Sequence, residues 1–289
     1  MGQSLASGSD DFCNAADYTL FHKVTPSYKG DELGAAYKKL HGTHPYLQFI
    51  DYDTINASAG AGETKGETKG EAPTTVVFFH GNGCDLGHVA AELKKWHQLT
   101  GYTVVAFEYP GYGQFTSKTA TEKHFCEAID YNMTQLVGWS LPQTQFVLVG
   151  HSLGCAAALY AATKTKIGPQ VKAVVLAAPF TNLPAMGAKL TPLTVGSVGL
   201  VTTKRLDNLI AIKELQCPFV IMHGDKDEVI PIEQGHELYE ASKVAAAKRF
   251  VPLTDVGHNM SMDLILEQAI IAQQALAALK EGQVDAAPG

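Results

Sequence analysis

VLVGHSLGCAAALYAA, residues 147–162, joins an apolar run to an alanine-rich helical pattern through the pentapeptide GHSLG (150–154). A Gly-x-Ser-x-Gly turn between a strand and a helix is typical of a nucleophilic serine, because the sharp turn exposes the hydroxyl. Gly150 and Gly154 would let the strand and the helix pack closely. The pentapeptide is weak support by itself, since a chain with 27 glycines in 289 residues easily contains one by chance. Its meaning depends on the rest of the chain.

The composition narrows the class of protein. With 46% hydrophobic and 18% charged residues, the chain has the make-up of a soluble globular protein. A formal charge of −7 without a basic cluster argues against nucleic acid as a partner. The five cysteines are scattered and outside any C-x-x-C pattern, which favours a reducing compartment over a disulfide framework. No metal motif is present, so we expect no metal and no cofactor.

The ends of the chain raise the question of membrane association. No apolar run is long enough to cross a bilayer and no signal-peptide core is present, so we expect a cytoplasmic protein. The sequence begins Met-Gly, and Cys13 follows shortly after. Acylation of Gly2 or Cys13, and with it attachment to a membrane, stays open at this point.

We expect a single folded domain over residues 17–282. It is flanked by flexible segments at 1–16 and 283–289. Within the domain, residues 57–73 (ASAGAGETKGETKGEAP) form a low-complexity stretch with a direct GETK repeat, which is typical of a surface loop.

Short apolar runs alternate with helical patterns after Pro73. The predicted strands are 74–80, 102–109, 145–150, 171–178, 218–223 and 249–253. The predicted helices lie near 86–99, 120–138, 153–165, 206–215, 232–246 and 261–280. This alternation, with almost wholly apolar strands, predicts an α/β fold with a central, mostly parallel sheet and helices on both faces. Two upstream strands, 18–24 and 46–55, are predicted to pair with each other or with the sheet edge.

Polar motifs follow five of the predicted parallel strands. They are HGNG (80–83), EYPGYG (108–113), GHSLG (150–154), HGDKDEVIP (223–231) and DVGHN (255–259). Because the carboxyl ends of parallel strands meet at one edge of a sheet, we expect these motifs to converge.

The converging motifs contain the parts of a nucleophilic site. A serine hydroxyl needs a base and an acid that orients the base. Ser152 and His258 supply the nucleophile and the base, while Asp225 and Asp227 are both open as the acid. The order Ser…Asp…His is that of α/β-hydrolases.

A developing oxyanion needs backbone donors. The N–H of Leu153, directly after the nucleophile and at a helix N-terminus, is one candidate. The second is Asn82, in the flexible HGNG loop after the first parallel strand.

Six motifs also resemble, in the same order, those of the α/β-hydrolase-domain serine hydrolases that include mammalian protein depalmitoylases. They are HGNGCDLG (80–87), YPGYG (109–113), GHSLG, APFTN (178–182), HGDKDEVI and GHN (257–259). The resemblance covers roughly residues 74–280. It implies the α/β-hydrolase fold with a small cap, Asp227 as the acid, and hydrolysis of an ester or thioester, such as a palmitoyl-cysteine.

Residues 181–216 lie where this fold often inserts a lid. Their apolar side chains would form a small cap that lines an acyl groove, and a helix or loop that only covers the core fits the pattern equally well.

The leading hypothesis is a cofactor-independent serine hydrolase with a Ser152–His258–Asp227 triad and an acyl-enzyme intermediate. Its substrate would be a small molecule or a lipidated protein with an ester or thioester bond. A serine peptidase of the prolyl-oligopeptidase or aminopeptidase type uses the same order of residues. A non-catalytic binding protein on the same fold is the third hypothesis.

Overall fold

The computed structural model describes residues 21, 23–30, 32–49, 73–185, 206–244 and 248–270. The predicted flexible segments 1–16 and 283–289 lie outside these residues. So do the low-complexity loop, apart from Pro73, and the middle of the cap segment, 186–205.

The described chain alternates between strands and helices. In order, its elements are β1 (Tyr37–Leu40), β2 (His44–Phe49), β3 (Thr74–Phe79), α1 (Leu86–Thr100), β4 (Thr103–Phe107), α2 (Glu122–Trp139), β5 (Gln145–His151), α3 (Leu153–Lys164), β6 (Val171–Ala177), α4 (Asn208–Glu214), β7 (Phe219–Gly224), α5 (Ile232–Ala241) and β8 (Lys248–Leu253). Residues 262–270 are also helical. None of the helices within the described ranges is both long and apolar enough to span a bilayer.

The strands form one sheet in the order β1-β2-β4-β3-β5-β6-β7-β8. Strands β3 to β8 are parallel, and β2 pairs antiparallel with both β1 and β4. Every residue of β3 is buried, as its mainly apolar run predicts for a strand covered on both faces. The predicted α/β architecture is confirmed.

Helices cover both faces of the sheet. Buried side chains of α2, α3, α4 and α5 join one core cluster, and those of α1 and residues 262–270 join the other. On the α1 face, the Trp96 ring meets Phe78 of β3 edge to face, with centroids 5.5 Å apart. Each such fully buried side chain contributes about 1.5–3 kcal/mol relative to an exposed one.

The predicted strand 18–24 is wrong where it can be compared, since residues 21, 23 and 24 lie in no strand. Phe21 is instead a buried anchor, with its ring centroid 5.5 Å from that of Phe125. The outer partner of β2 is β1, which the sequence analysis missed because its two lysines break the apolar pattern. The two strands are joined through His41 and Gly42, whose φ angles are 45° and 75°.

Candidate active site

The GHSLG motif forms a tight turn between β5 and α3. Ser152 has φ 54° and ψ −115°, a backbone conformation that is costly for a residue with a side chain. Close packing of β5 and β3 against α3 holds the Ser152 backbone in this conformation. A β-carbon on Gly150 would lie 2.3 Å from the Gly154 carbonyl oxygen, and one on Gly154 would lie 2.0 Å from that of Phe79. The Ser152 N–H donates to the Ala177 carbonyl oxygen on the neighbouring strand at 2.9 Å.

The three side chains expected to form the triad lie in one hydrogen-bonded row. Ser152 Oγ is 3.0 Å from His258 Nε2, and His258 Nδ1 is 2.9 Å from Asp227 Oδ2. All three residues come from loops at the carboxyl ends of the parallel strands. With Asp227 ionised, Nδ1 of His258 donates to it and Nε2 is left to accept the proton of Ser152.

The structure places Asp227, and not Asp225, beside His258. Asp225 is exposed, and its Oδ1 accepts the Asp255 N–H at 2.8 Å, an interaction that braces the loop after β8. Asp227 Oδ1 accepts the N–H groups of Val229 and Ile230 at 2.9 and 2.7 Å. These bonds leave Oδ2 directed at the histidine.

A second histidine, which the sequence analysis missed, lies behind the acid. His223, the buried penultimate residue of β7, has Nε2 2.9 Å from the Ile230 carbonyl oxygen and 3.3 Å from Asp227 Oδ2. Burial alone would raise the pKa of Asp227. Hydrogen bonds from His223, His258 and the Ile230 N–H outweigh it and hold that pKa well below its usual range. Asp227 therefore stays ionised at neutral pH.

His151, the residue directly before Ser152, also contacts His258. Its Nε2 donates to the His258 carbonyl oxygen at 3.0 Å, and the two rings have centroids 5.4 Å apart. Burial lowers the pKa of His151 to about 4, so its ring is neutral at physiological pH.

The two predicted oxyanion donors lie on adjacent elements. Leu153 is the first residue of α3, where backbone N–H groups have no partner within the helix. The loop after β3 lies against this turn, since a β-carbon on Gly81 would be 3.0 Å from His151 Nδ1. Asn82 follows, and its side-chain Oδ1 accepts the Tyr112 O–H at 2.6 Å.

A buried carboxylate that was not predicted from the sequence contacts this loop. Glu108 directly follows β4 and is 1% exposed. Its Oε1 lies 3.2 Å from His80 Nε2, where both side chains are fully buried. The available signal was a glutamate at the start of the EYPGYG motif, directly after an apolar strand.

Two family models match the chain. One, described as the alpha/beta hydrolase fold, matches residues 74–198. The other, described as serine hydrolase, matches residues 138–259. Together they span the elements that carry Ser152, Asp227 and His258.

The chain is similar to two mammalian α/β-hydrolase-domain proteins and to an archaeal esterase. It is 32% identical to human Protein ABHD12B over 59% of this chain and 50% of the relative. It is 25% identical to the lysophosphatidylserine lipase ABHD12 of Macaca fascicularis over 64% and 50%. The chain thus spans about half the length of these two relatives. The structure of the Pyrococcus furiosus esterase Pf2001 superposes with a TM-score of 0.59 at 16% identity, over 90% of this chain and 98% of that one. The chain has the α/β-hydrolase fold, and these matches make it similar to α/β-hydrolase-domain proteins of the serine hydrolase type.

Proposed function

We propose that this protein cleaves carboxylic esters or acyl thioesters through an acyl-enzyme on Ser152. The observation that carries the proposal is the row of hydrogen bonds from Ser152 Oγ through His258 to Asp227, with distances of 3.0 and 2.9 Å. A neutral imidazole oriented by a carboxylate is the arrangement that lets a serine hydroxyl act as a nucleophile at neutral pH.

In the first half-reaction, Ser152 Oγ attacks the carbonyl carbon while His258 Nε2 takes its proton. The carbonyl oxygen becomes an oxyanion, which accepts hydrogen bonds from the N–H groups of Leu153 and Asn82. When the tetrahedral intermediate collapses, the bond to the leaving alcohol or thiol breaks and His258 returns the proton to that group. The acyl chain remains bonded to Ser152.

In the second half-reaction, a water molecule takes the place of the leaving group. His258 removes a proton from the water as its oxygen attacks the acyl carbon. The bond to Ser152 Oγ then breaks, Oγ regains a proton from His258, and the carboxylic acid leaves. Asp227 remains ionised throughout, consistent with the hydrogen bonds that lower its pKa.

The names of the relatives support an ester bond as the target. A lysophosphatidylserine lipase is similar in sequence, and an esterase is similar in fold. Thioesters, including those of palmitoylated proteins, pass through the same acyl-enzyme. They are the more specific substrate class that the resemblance to protein depalmitoylases suggests. A thiolate is also the easier leaving group, so a site built for esters can accept thioesters.

A fluorophosphonate probe and a substrate panel test the proposal. The wild-type protein should become covalently labelled and should cleave p-nitrophenyl esters or acyl thioesters, while Ser152→Ala should lose both properties. Ser140→Ala is the matched control, because the Ser140 hydroxyl only caps the end of α2 by donating to the Leu136 carbonyl oxygen at 2.6 Å. The panel includes a palmitoyl-cysteine peptide and aminoacyl and prolyl amides.

Each outcome separates the hypotheses. Faster turnover of the amides than of every ester and thioester would replace the proposal with a serine peptidase. A folded wild-type protein that is neither labelled nor active on any substrate would point to a binding protein on a hydrolase fold.

A further inference from the structure

Building on the proposed function, we propose that Glu108 is a positioning residue for the oxyanion donors. It would act through the oxyanion loop, which we define as residues 80–86: the segment between β3 and α1, which contains Asn82, together with the first residue of α1. Glu108 lies outside that loop in the sequence and makes no contact with Ser152 among the interactions described.

The Glu108 carboxylate binds both ends of the oxyanion loop. Oε1 is 3.2 Å from His80 Nε2, at the start of the loop. Oε2 accepts the backbone N–H of Leu86, at its end, at 3.2 Å. A third donor, the Tyr28 O–H, reaches Oε2 at 3.0 Å. One buried carboxylate thereby restrains the distance between His80 and Leu86, the two ends of the loop.

The surroundings of Glu108 are adapted to hold a carboxylate. Burial and the nearby Glu108 charge raise the pKa of Tyr28, so the phenol keeps the proton that it donates. Gly113 leaves room for the group, because a β-carbon at that position would lie 2.2 Å from Oε2. A buried charge is tolerated only where donors satisfy it, and here three donors converge on two oxygens.

Further contacts transmit this restraint to Asn82 and to the nucleophile. Tyr109, the residue after Glu108, donates its O–H to the His80 carbonyl oxygen at 2.9 Å. Tyr112 donates to Asn82 Oδ1 at 2.6 Å. The end of β3 contacts the start of α3 directly at Gly154. The loop is therefore held between the segment after β4 and the turn that carries Ser152.

Such restraint matters because oxyanion donors act only over a narrow range of distance. They must lie about 2.7–3.1 Å from the oxyanion, and loss of one donor reduces kcat by roughly 10²–10³-fold. In Glu108→Gln, one carbonyl oxygen and one NH₂ group replace two acceptor oxygens, so at least one of the three donors loses its acceptor. We expect a loosened loop and a decrease in kcat of roughly tenfold to a hundredfold.

The experiment tests whether Glu108→Gln weakens binding of the transition state more than binding of the substrate. It measures kcat and KM with a p-nitrophenyl ester, and affinity for a trifluoromethyl ketone, whose serine hemiketal resembles the tetrahedral intermediate. The variant should lose kcat with little change in KM, and its affinity for the ketone should fall by about the same factor. The fluorophosphonate should still label all of the protein at saturation, only more slowly. Tyr28→Phe, which removes one of the three donors, should change the same quantities in the same direction but less.

Glu122→Gln is the matched control. Glu122 is 4% exposed and accepts the Leu206 N–H at 3.0 Å, away from the oxyanion loop. This variant should lower the thermal midpoint without the selective loss of kcat and ketone affinity. Wild-type kinetics in Glu108→Gln would overturn the inference. So would a decrease in kcat that is matched by a decrease in the labelled fraction, since that indicates misfolding. If the wild-type protein itself is neither labelled nor active, the proposed function fails first.

Discussion

The Asp227 carboxylate lies 2.9 Å from Nδ1 of His258, and it thereby determines which nitrogen of that ring carries the proton. The ionised carboxylate can only accept, so Nδ1 must donate. Nε2 is then the acceptor that faces Ser152 Oγ at 3.0 Å. In the proposed reaction, the direction of proton transfer from Ser152 to His258 is therefore fixed before any substrate binds.

This relationship predicts very different effects for two neighbouring aspartates. Asp227→Asn can present an NH₂ group to His258, which favours the wrong tautomer and should lower kcat by a factor that approaches about 10⁴. Asp225→Asn keeps an oxygen for the Asp255 N–H and should retain kcat within a few-fold. Steady-state kinetics on a p-nitrophenyl ester measure both. Similar losses in the two variants would contradict the assignment of Asp227.

His223 provides a second test of the acid. His223→Leu removes the donor that lies behind Asp227 and also leaves the buried Ile230 carbonyl oxygen unpaired. We expect kcat to decrease by about tenfold, as for the loss of one hydrogen bond to a charged group. His223→Gln should recover most of the activity, because its amide nitrogen can replace Nε2.

His236→Leu is the control for His223. The exposed His236 ring stacks on Phe250, with centroids 3.9 Å apart, and has no contact with the acid in the described chain. Its kcat should equal that of the wild type. Equal activity in His223→Leu and in the wild type would remove His223 from the site.

The sequence predicts the sheet well because its central parallel strands, β3 to β7, are almost wholly buried. Such strands are nearly continuous apolar runs, and the six parallel strands β3 to β8 all begin and end within two residues of their predicted bounds. The convergence of Ser152 and His258 follows from the same pattern, because parallel strands deliver their loops to one edge.

Other features depend on contacts that no local pattern records. Residues 18–24 have the aromatic and β-branched composition of a strand, yet Phe21 lies in irregular backbone and packs its ring into the core. Nothing in the local sequence distinguishes Glu108 or His223 from other residues of the polar motifs. Their importance depends on the fold, which brings Glu108 to the ends of the oxyanion loop and His223 to Asp227. The choice between Asp225 and Asp227 likewise depends on the turn that the loop adopts after β7.

The lowered pKa of His151, a partly buried residue, predicts a pH dependence of stability. Its pKa is lowered from 6.5 to about 4 in the folded protein. The unfolded chain therefore binds a proton between these values that the folded protein does not. Stability from this group is fully present above about pH 6.5 and is lost as the pH falls towards 4, at up to about 1.4 kcal/mol per pH unit.

His151→Gln isolates this contribution. Glutamine can still donate to the His258 carbonyl oxygen but does not titrate. Urea unfolding of both proteins at several pH values between 4 and 7.5 should give a free energy of unfolding that falls more steeply with acid in the wild type. Parallel curves would show that His151 is protonated in the folded protein as easily as in the unfolded chain.

The contact between Gly154 and Phe79 predicts that the nucleophile turn cannot accept one extra methyl group. In Gly154→Ala the new carbon would meet backbone atoms of Phe79 at 2.0 and 2.5 Å and the His80 carbonyl oxygen at 2.8 Å. Relief requires β3 and α3 to separate, which should cost about 2 kcal/mol or more in the free energy of unfolding. It should also slow fluorophosphonate labelling of Ser152, because the oxyanion loop moves with the end of β3.

Gly138→Ala is the control, since a β-carbon there has no atom within 4 Å and the change in α2 should be neutral or stabilising by up to about 1 kcal/mol. Urea unfolding and labelling rates measure the pair, and a Gly154→Ala protein with wild-type values for both would mean that this close approach does not hold the turn.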